Sequence, residues 1–96
     1  MVIIMKVIVV DDDFLFRMYL KTIIDWGKYG FELIGEAGDG NKALDLILRY
    51  ETDIVITDIK MPVMDGLCLI QKLNELKKRF KILILRKNRN LYIRLK

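Results

Sequence analysis

A chain of 96 residues with 53% apolar and 31% charged side chains has the make-up of a small soluble globular protein, one domain by length. No apolar run approaches the ~20 residues that cross a bilayer, and Met1-Val2-Ile3-Ile4-Met5 is too short for a signal peptide, so the cytoplasm is the expected location, with no membrane partner. One cysteine, Cys68, and no histidine exclude an intramolecular disulfide, a zinc cage and a histidine-based triad.

The net charge of +4 hides a split. Residues 1–71 hold 12 acidic and 7 basic side chains, whereas residues 72–96 hold 10 basic ones and the single acid Glu75. The basic end has Tyr92 as its one aromatic of note and no DNA-reading motif, so nucleic-acid binding by this chain is not expected. A solvated basic end, or one folded back on the acidic part, suits it better.

In chain order, Met5–Val10 predicts a first strand, with Asp11 and Asp12 at its carboxyl end and Asp13 placed to cap a helix. Phe14–Asp25 has helical spacing, with Leu15, Tyr19 and Ile23 on one apolar stripe and Met18 beside it. Trp26, Gly27 and Gly30 close that helix, the indole as a packing residue over its end. Phe31–Glu36 predicts a second strand. Gly38-Asp39-Gly40 is a turn; it lacks the longer glycine pattern and the lysine of a phosphate loop.

A helix follows from Asn41 to about Tyr50, burying Ala43, Leu44, Ile47 and Leu48 and turning Lys42, Asp45 and Arg49 to water. Asp53-Ile54-Val55-Ile56-Thr57-Asp58 is a continuous apolar run ending in a carboxylate, the pattern of a strand buried on both faces of a parallel sheet. A third helix runs from Asp65-Gly66 to about Leu76 on Leu69, Ile70, Leu73 and Leu76, with Met64 and Cys68 as ordinary packing residues. Lys77–Arg79 is a charged connector into a fourth strand, Phe80–Leu85.

Strand and helix thus alternate, which calls for a doubly wound α/β sheet with right-handed crossovers and helices on both faces. No repeat, low-complexity tract or linker appears. Residues 1–96 read as one domain, with a core over 5–85 and an atypical basic tail over 86–96. Ligands of such sheets bind beyond the carboxyl ends of the strands. If the first and third strands are central and parallel, their acidic ends fall side by side, and like charges so placed are tolerated with a cation. Taken alone, Asp11-Asp12-Asp13 is explained as well by helix capping, worth about 1 kcal/mol, as by a site.

Together these residues resemble a known family. Val9-Val10-Asp11-Asp12-Asp13 and Ile56-Thr57-Asp58-Ile59-Lys60-Met61-Pro62-Val63-Met64-Asp65-Gly66 look like the receiver domain of bacterial two-component response regulators. Trp26 through Ala37 and the Gly-Asp-Gly-Asn-Lys-Ala-Leu run are similar to receivers attached to AraC-type DNA-binding domains. The resemblance covers residues 5–85 and implies the flavodoxin-like strand order 2-1-3-4-5, of which this chain would keep 2-1-3-4. It further implies phosphoryl transfer from a sensor histidine kinase onto Asp58, with Mg²⁺ held by Asp11, Asp12, Asp58 and the Lys60 backbone carbonyl. Met61, Pro62, Asp65 and Gly66 would shape the loop. Such a chain is a signalling module rather than a turnover enzyme. The chemistry agrees, because phosphoryl transfer needs positioning and charge neutralisation, and Mg²⁺ takes hard oxygen ligands.

Two family features are absent. Arg86 stands where a receiver has Ser or Thr after strand four, and no Lys-Pro follows a fifth parallel strand. Phosphoacceptor chemistry is therefore expected to be slowed, and the usual last β-α elements to be missing. That would leave strand four as an open apolar edge, suited to a homodimer. Alternatively, residues 91–95 fold back as an antiparallel strand after a turn at Lys87-Asn88-Arg89-Asn90, bringing Arg86, Lys87 or Arg89 near Asp58 as substitute cations. The competing functions are a pseudo-receiver working by dimerisation and a Mg²⁺-dependent phosphatase or phosphotransferase.

Overall fold

A computed structural model describes residues 3–59, 64–76, 81–86 and 92–95, of which 85–86 and 92–95 by their backbone alone. The strands are β1 (Met5–Val10), β2 (Phe31–Ala37), β3 (Ile54–Asp58), β4 (Lys81–Arg86) and β5 (Tyr92–Leu95). The helices are α1 (Phe14–Ile23), α2 (Gly40–Arg49) and α3 (Gly66–Glu75), with a short 3-10 turn at Gly27–Tyr29. The sheet runs β2-β1-β3-β4-β5. Its first four strands are parallel, as the flavodoxin-like reading requires, and β5 is antiparallel to β4 with Arg86 opposite Tyr92.

That last pairing decides between the two readings of the basic end. The outer edge of β4 is occupied by the chain's own β5, so the expectation of an open strand-four edge for a second copy is not met. A strand edge with unpaired amides is a liability, and an alternating segment such as Tyr92-Ile93-Arg94-Leu95 can cover it. The Lys87-Asn88-Arg89-Asn90 turn lies outside the described residues.

Alternation along β1 builds the two halves of the core. Val7 and Val9 point to one face, where they meet Leu20 of α1 and Ile54 and Ile56 of β3. Ile8 and Val10 point to the other, against Ala43 and Ile47 of α2, Val55 of β3, and Leu69 and Leu73 of α3. β1 and β3 lie inside the sheet with helices on both faces, so their apolar runs are unbroken. Each buried Val, Leu or Ile contributes roughly 1.5–3 kcal/mol relative to exposure.

Three details of packing differ from the sequence reading. On α1 the stripe Leu15, Met18, Tyr19, Ile23 faces water, with Leu15 74% exposed, while Phe16, Leu20 and Ile24 face the sheet. A helix turns about 100° per residue, so the two stripes differ by a single step. Arg17 and Lys21, next to the second stripe, both pair with Glu36 of β2 and so fix the rotation. On α2 Leu48 is exposed and Leu46 packs instead, its Cδ1 lying over Gly35. Cys68 is exposed rather than packed, whereas Met64 packs against the α2–α3 half of the core.

The pairing of β2 with β1 carries a bulge. Val7 faces Leu33 but Ile8 faces Gly35, leaving Ile34 as an extra residue. Leu33 packs on the α1 side and Ile34 on the α2 side. The extra residue then shifts the alternation, so that Glu36, partner of Val9, turns to the α1 face.

Candidate functional site

The carboxyl ends of β1 and β3 meet as neighbours, Val10 standing opposite Thr57. One residue further along each strand comes Asp11 and Asp58. Asp11, Asp12 and Asp58 each offer a carboxylate oxygen within 4.8 Å of the other two. Asp11 is fully buried, Asp58 is half-buried and Asp12 is exposed, so the trio opens to solvent on the Asp12 side.

Local hydrogen bonding fixes these side chains. The Asp11 amide donates to the Ala37 carbonyl at 3.0 Å, tying the end of β1 to β2. Its Oδ1 accepts the Asp13 amide at 2.8 Å, which turns the chain out of the strand. Asp13 leaves the trio and caps α1, its Oδ1 accepting the Leu15 and Phe16 amides. The third acid of the run therefore caps a helix, and the first two lie in the acidic trio. Asp58 Oδ1 accepts the Ile59 amide at 2.8 Å, and the Thr57 hydroxyl donates to the Asp58 carbonyl at 2.9 Å.

The segment after β3 is clamped at two helix starts. The Gly66 amide donates to the Ile59 carbonyl at 2.5 Å, and a Cβ on Gly66 would overlap the Asp58 carbonyl oxygen. Asp65 caps α3 through the Cys68 amide at 2.9 Å. On the other side, the Gly40 amide donates to the Met64 carbonyl at 3.0 Å, and a Cβ on Gly40 would lie 2.5 Å from that oxygen. Asp65 and Gly66 thus anchor the start of α3 against the end of β3. Lys60, Met61 and Pro62 lie outside the described residues, and so do Lys87 and Arg89 and the side chain of Arg86. The backbone sets Leu85 opposite Asp58, so β4 ends beside the acidic trio.

The sequence reading missed Arg17 and Glu36. Arg17 Nη1 donates to the Asp11 carbonyl oxygen at 2.6 Å and its Nε to Glu36 Oε1 at 2.9 Å, while Lys21 pairs with Glu36 Oε2. Burial alone would raise the Glu36 carboxyl; the hydrogen bonds and charges of Lys21 and Arg17 outweigh it and hold the group below its ordinary value. The available signal was an arginine six residues after Asp11 inside a strongly apolar helix.

The donor set fits a hard divalent cation. Octahedral Mg²⁺ bonds at 2.0–2.1 Å place its ligand oxygens about 2.9 to 4.2 Å apart. Three carboxylate oxygens already within 4.8 Å of one another need little movement to meet that spacing. Among the described residues, no helix is long and apolar enough to cross a membrane.

Comparison with known proteins agrees with this geometry. A family model described as the response regulator receiver domain matches residues 7–95. The chain is 44% identical over 71 residues to the transcriptional regulatory protein HptR of Staphylococcus aureus strain NCTC 8325, covering 74% of this chain and 28% of that protein. It thus spans just over a quarter of the length of that curated relative. Among solved structures, the receiver domain of AraT, a response regulator from Geobacillus stearothermophilus, superposes with a TM-score of 0.79 at 36% identity, covering 88% of this chain and 64% of that one. A two-component transcriptional regulator AraC from Clostridium phytofermentans gives 0.77 at 30% identity, covering 83% and 64%. With the parallel β2-β1-β3-β4 core, the acidic trio at its carboxyl edge and a family match over nearly its whole length, the chain belongs to the response regulator receiver domains of two-component systems.

Proposed function

We propose that this receiver accepts a phosphoryl group onto Asp58 from a sensor histidine kinase, with Mg²⁺ held by Asp11, Asp12 and Asp58 and by the Lys60 backbone carbonyl. The observation that carries this reading is the convergence of three carboxylate oxygens at the ends of β1 and β3. Asp58 is the natural acceptor of the three. It is half-buried and reachable, while Asp11 is fully buried and Asp12 stands exposed at the mouth.

In the transfer, an Asp58 carboxylate oxygen attacks phosphorus as the bond from phosphorus to the donor nitrogen breaks, leaving an acyl phosphate. The bond from the Ile59 amide keeps Oδ1 engaged and orients the carboxylate. When bound, Mg²⁺ neutralises the repulsion between the carboxylates and the incoming phosphoryl oxygens. The chain acts once per phosphoryl group, as a signalling module in the cytoplasm rather than a turnover enzyme. The similarity to HptR favours transcription control as the output of the pathway. Arg86 at the end of β4, in place of a hydroxyl, makes labelling slow in this reading. The pseudo-receiver alternative loses its motive because β5 covers the β4 edge.

The test is incubation with Mg²⁺ and a small acyl phosphate or phosphoramidate, followed by intact mass. One phosphoryl group on the unaltered protein and none on Asp58→Asn supports the assignment. Equal labelling of both, or continuous release of phosphate over many turnovers, overturns it.

A further inference from the structure

We propose that Arg17 is a positioning residue for the metal-binding carboxylates, acting through the backbone of Asp11. The inference rests on reading the acidic trio as a Mg²⁺ site. The Asp11 carbonyl that Arg17 holds belongs to the peptide joining Asp11 to Asp12. A peptide unit is planar, so fixing that oxygen fixes the orientation of the unit from which both carboxylates project. The other end of Asp11 is already tied, its amide bonded to Ala37 of β2. Arg17 thus braces the joint between the strand end and Asp12.

The arginine is itself immobilised. Its side chain is 14% exposed, and its Nε is held by Glu36 while its Nη1 reaches Asp11. One acceptor lies on β2 and the other just past the end of β1, and a rigid guanidinium fork engages both at once, which a lysine ammonium on its flexible stem does not reproduce. Phe14, on the same helix, sets its ring 5.5 Å from the guanidinium carbon. Glu36 reaches this face through the Ile34 bulge, and bulges commonly re-aim a side chain beside a site. Lys21 also pairs with Glu36, which leaves the buttress with two cations and one anion.

Sign separates positioning from charge. As a point charge near the site, Arg17 opposes a divalent cation, so its removal would tighten Mg²⁺ binding if charge were its whole effect. As a positioning residue its removal weakens binding, and outer groups that orient metal ligands typically matter by about 10- to 100-fold. Lys21 brings the same charge to Glu36 without a bond to Asp11, and so serves as the control.

The experiment is calorimetric titration of the full chain with MgCl₂ at fixed ionic strength, alongside thermal unfolding of each variant. Arg17→Met should weaken binding about tenfold, with Lys21→Met unchanged or tighter. Equal or tighter binding by a folded Arg17→Met overturns the proposal, as does equal weakening by Lys21→Met. If Arg17→Met does not fold, Arg17→Lys decides in the same way, since it keeps the charge and loses the fork. Absence of Mg²⁺ binding by the unaltered protein would instead remove the metal reading itself.

Discussion

Gly66 packs directly on the Asp58 carbonyl, so closely that a Cβ would overlap that oxygen and press on the Ile59 Cα. These are backbone atoms at the end of a buried strand, with no flexible side chain to yield. Gly66→Ala should therefore cost about 3 kcal/mol, the upper end for an added methyl group in a packed site. Gly27 is the contrast, since a methyl group added there would meet nothing within 4 Å. Gly27→Ala should leave stability unchanged or raise it by about 0.4–1 kcal/mol. Urea unfolding of the two variants checks both.

The rotation of α1 predicts opposite outcomes for two of its leucines. Leu20 is buried against Val7, Val9 and Ile56, and Leu20→Ala should cost about 2–5 kcal/mol. Leu15 stands in water, and Leu15→Ala should stay within about 0.5 kcal/mol. Denaturation midpoints at a common slope measure the difference.

The third acid of the Asp11-Asp12-Asp13 run caps a helix and does not join the trio. Asp13→Ala should destabilise by about 1 kcal/mol and leave Mg²⁺ affinity unchanged. Asp12→Asn should do the reverse, weakening Mg²⁺ binding with no loss of stability. Calorimetry and thermal unfolding on the same samples tell the two roles apart.

Glu36 links stability to pH. Its carboxyl is held below its ordinary value in the folded chain, so the folded state binds this proton less readily than the unfolded one. The resulting stabilisation is fully present above the unfolded value of about 4.3 and is lost as pH falls through the lowered value. Glu36→Gln should therefore narrow the stability gap between neutral and acid pH, read from unfolding curves across that range.

Carboxylate oxygens of Asp11, Asp12 and Asp58 lie within 4.8 Å of one another, and like charges so close disfavour each other. Asp12→Asn or Asp58→Asn should raise the melting temperature of the metal-free protein. With free Mg²⁺ at ten times its Kd, the unaltered protein should gain about 1.4 kcal/mol, and either variant much less. Thermal scans with MgCl₂ or a chelator test this.

The strands and their acidic ends were legible in short local signals, whereas the sheet order that brings the acids together followed from the family resemblance. Apolar runs ending in Asp11 and Asp58 mark the strand ends, and Asp13, Asp39 and Asp65 each cap the helix that follows. The face of α1 was not legible, since Leu15-Tyr19-Ile23 and Phe16-Leu20-Ile24 have the same spacing. An ion pair from Arg17 to a residue nineteen positions away chose between them. Nor was the orientation of Glu36, which alternation from Leu33 would send to the α2 face. Only the pairing with β1 shows where the additional residue falls.

The hairpin formed by β4 and β5 makes the far side of the sheet a contested seat. A further parallel strand beside β4 would need the same row of amides and carbonyls that Tyr92–Leu95 now engages. The two arrangements exclude each other, so a longer chain that continued the β-α alternation would have to peel this strand away before docking its own. The antiparallel pairing of Arg86 with Tyr92 therefore fills the row at which a parallel strand could add beside β4.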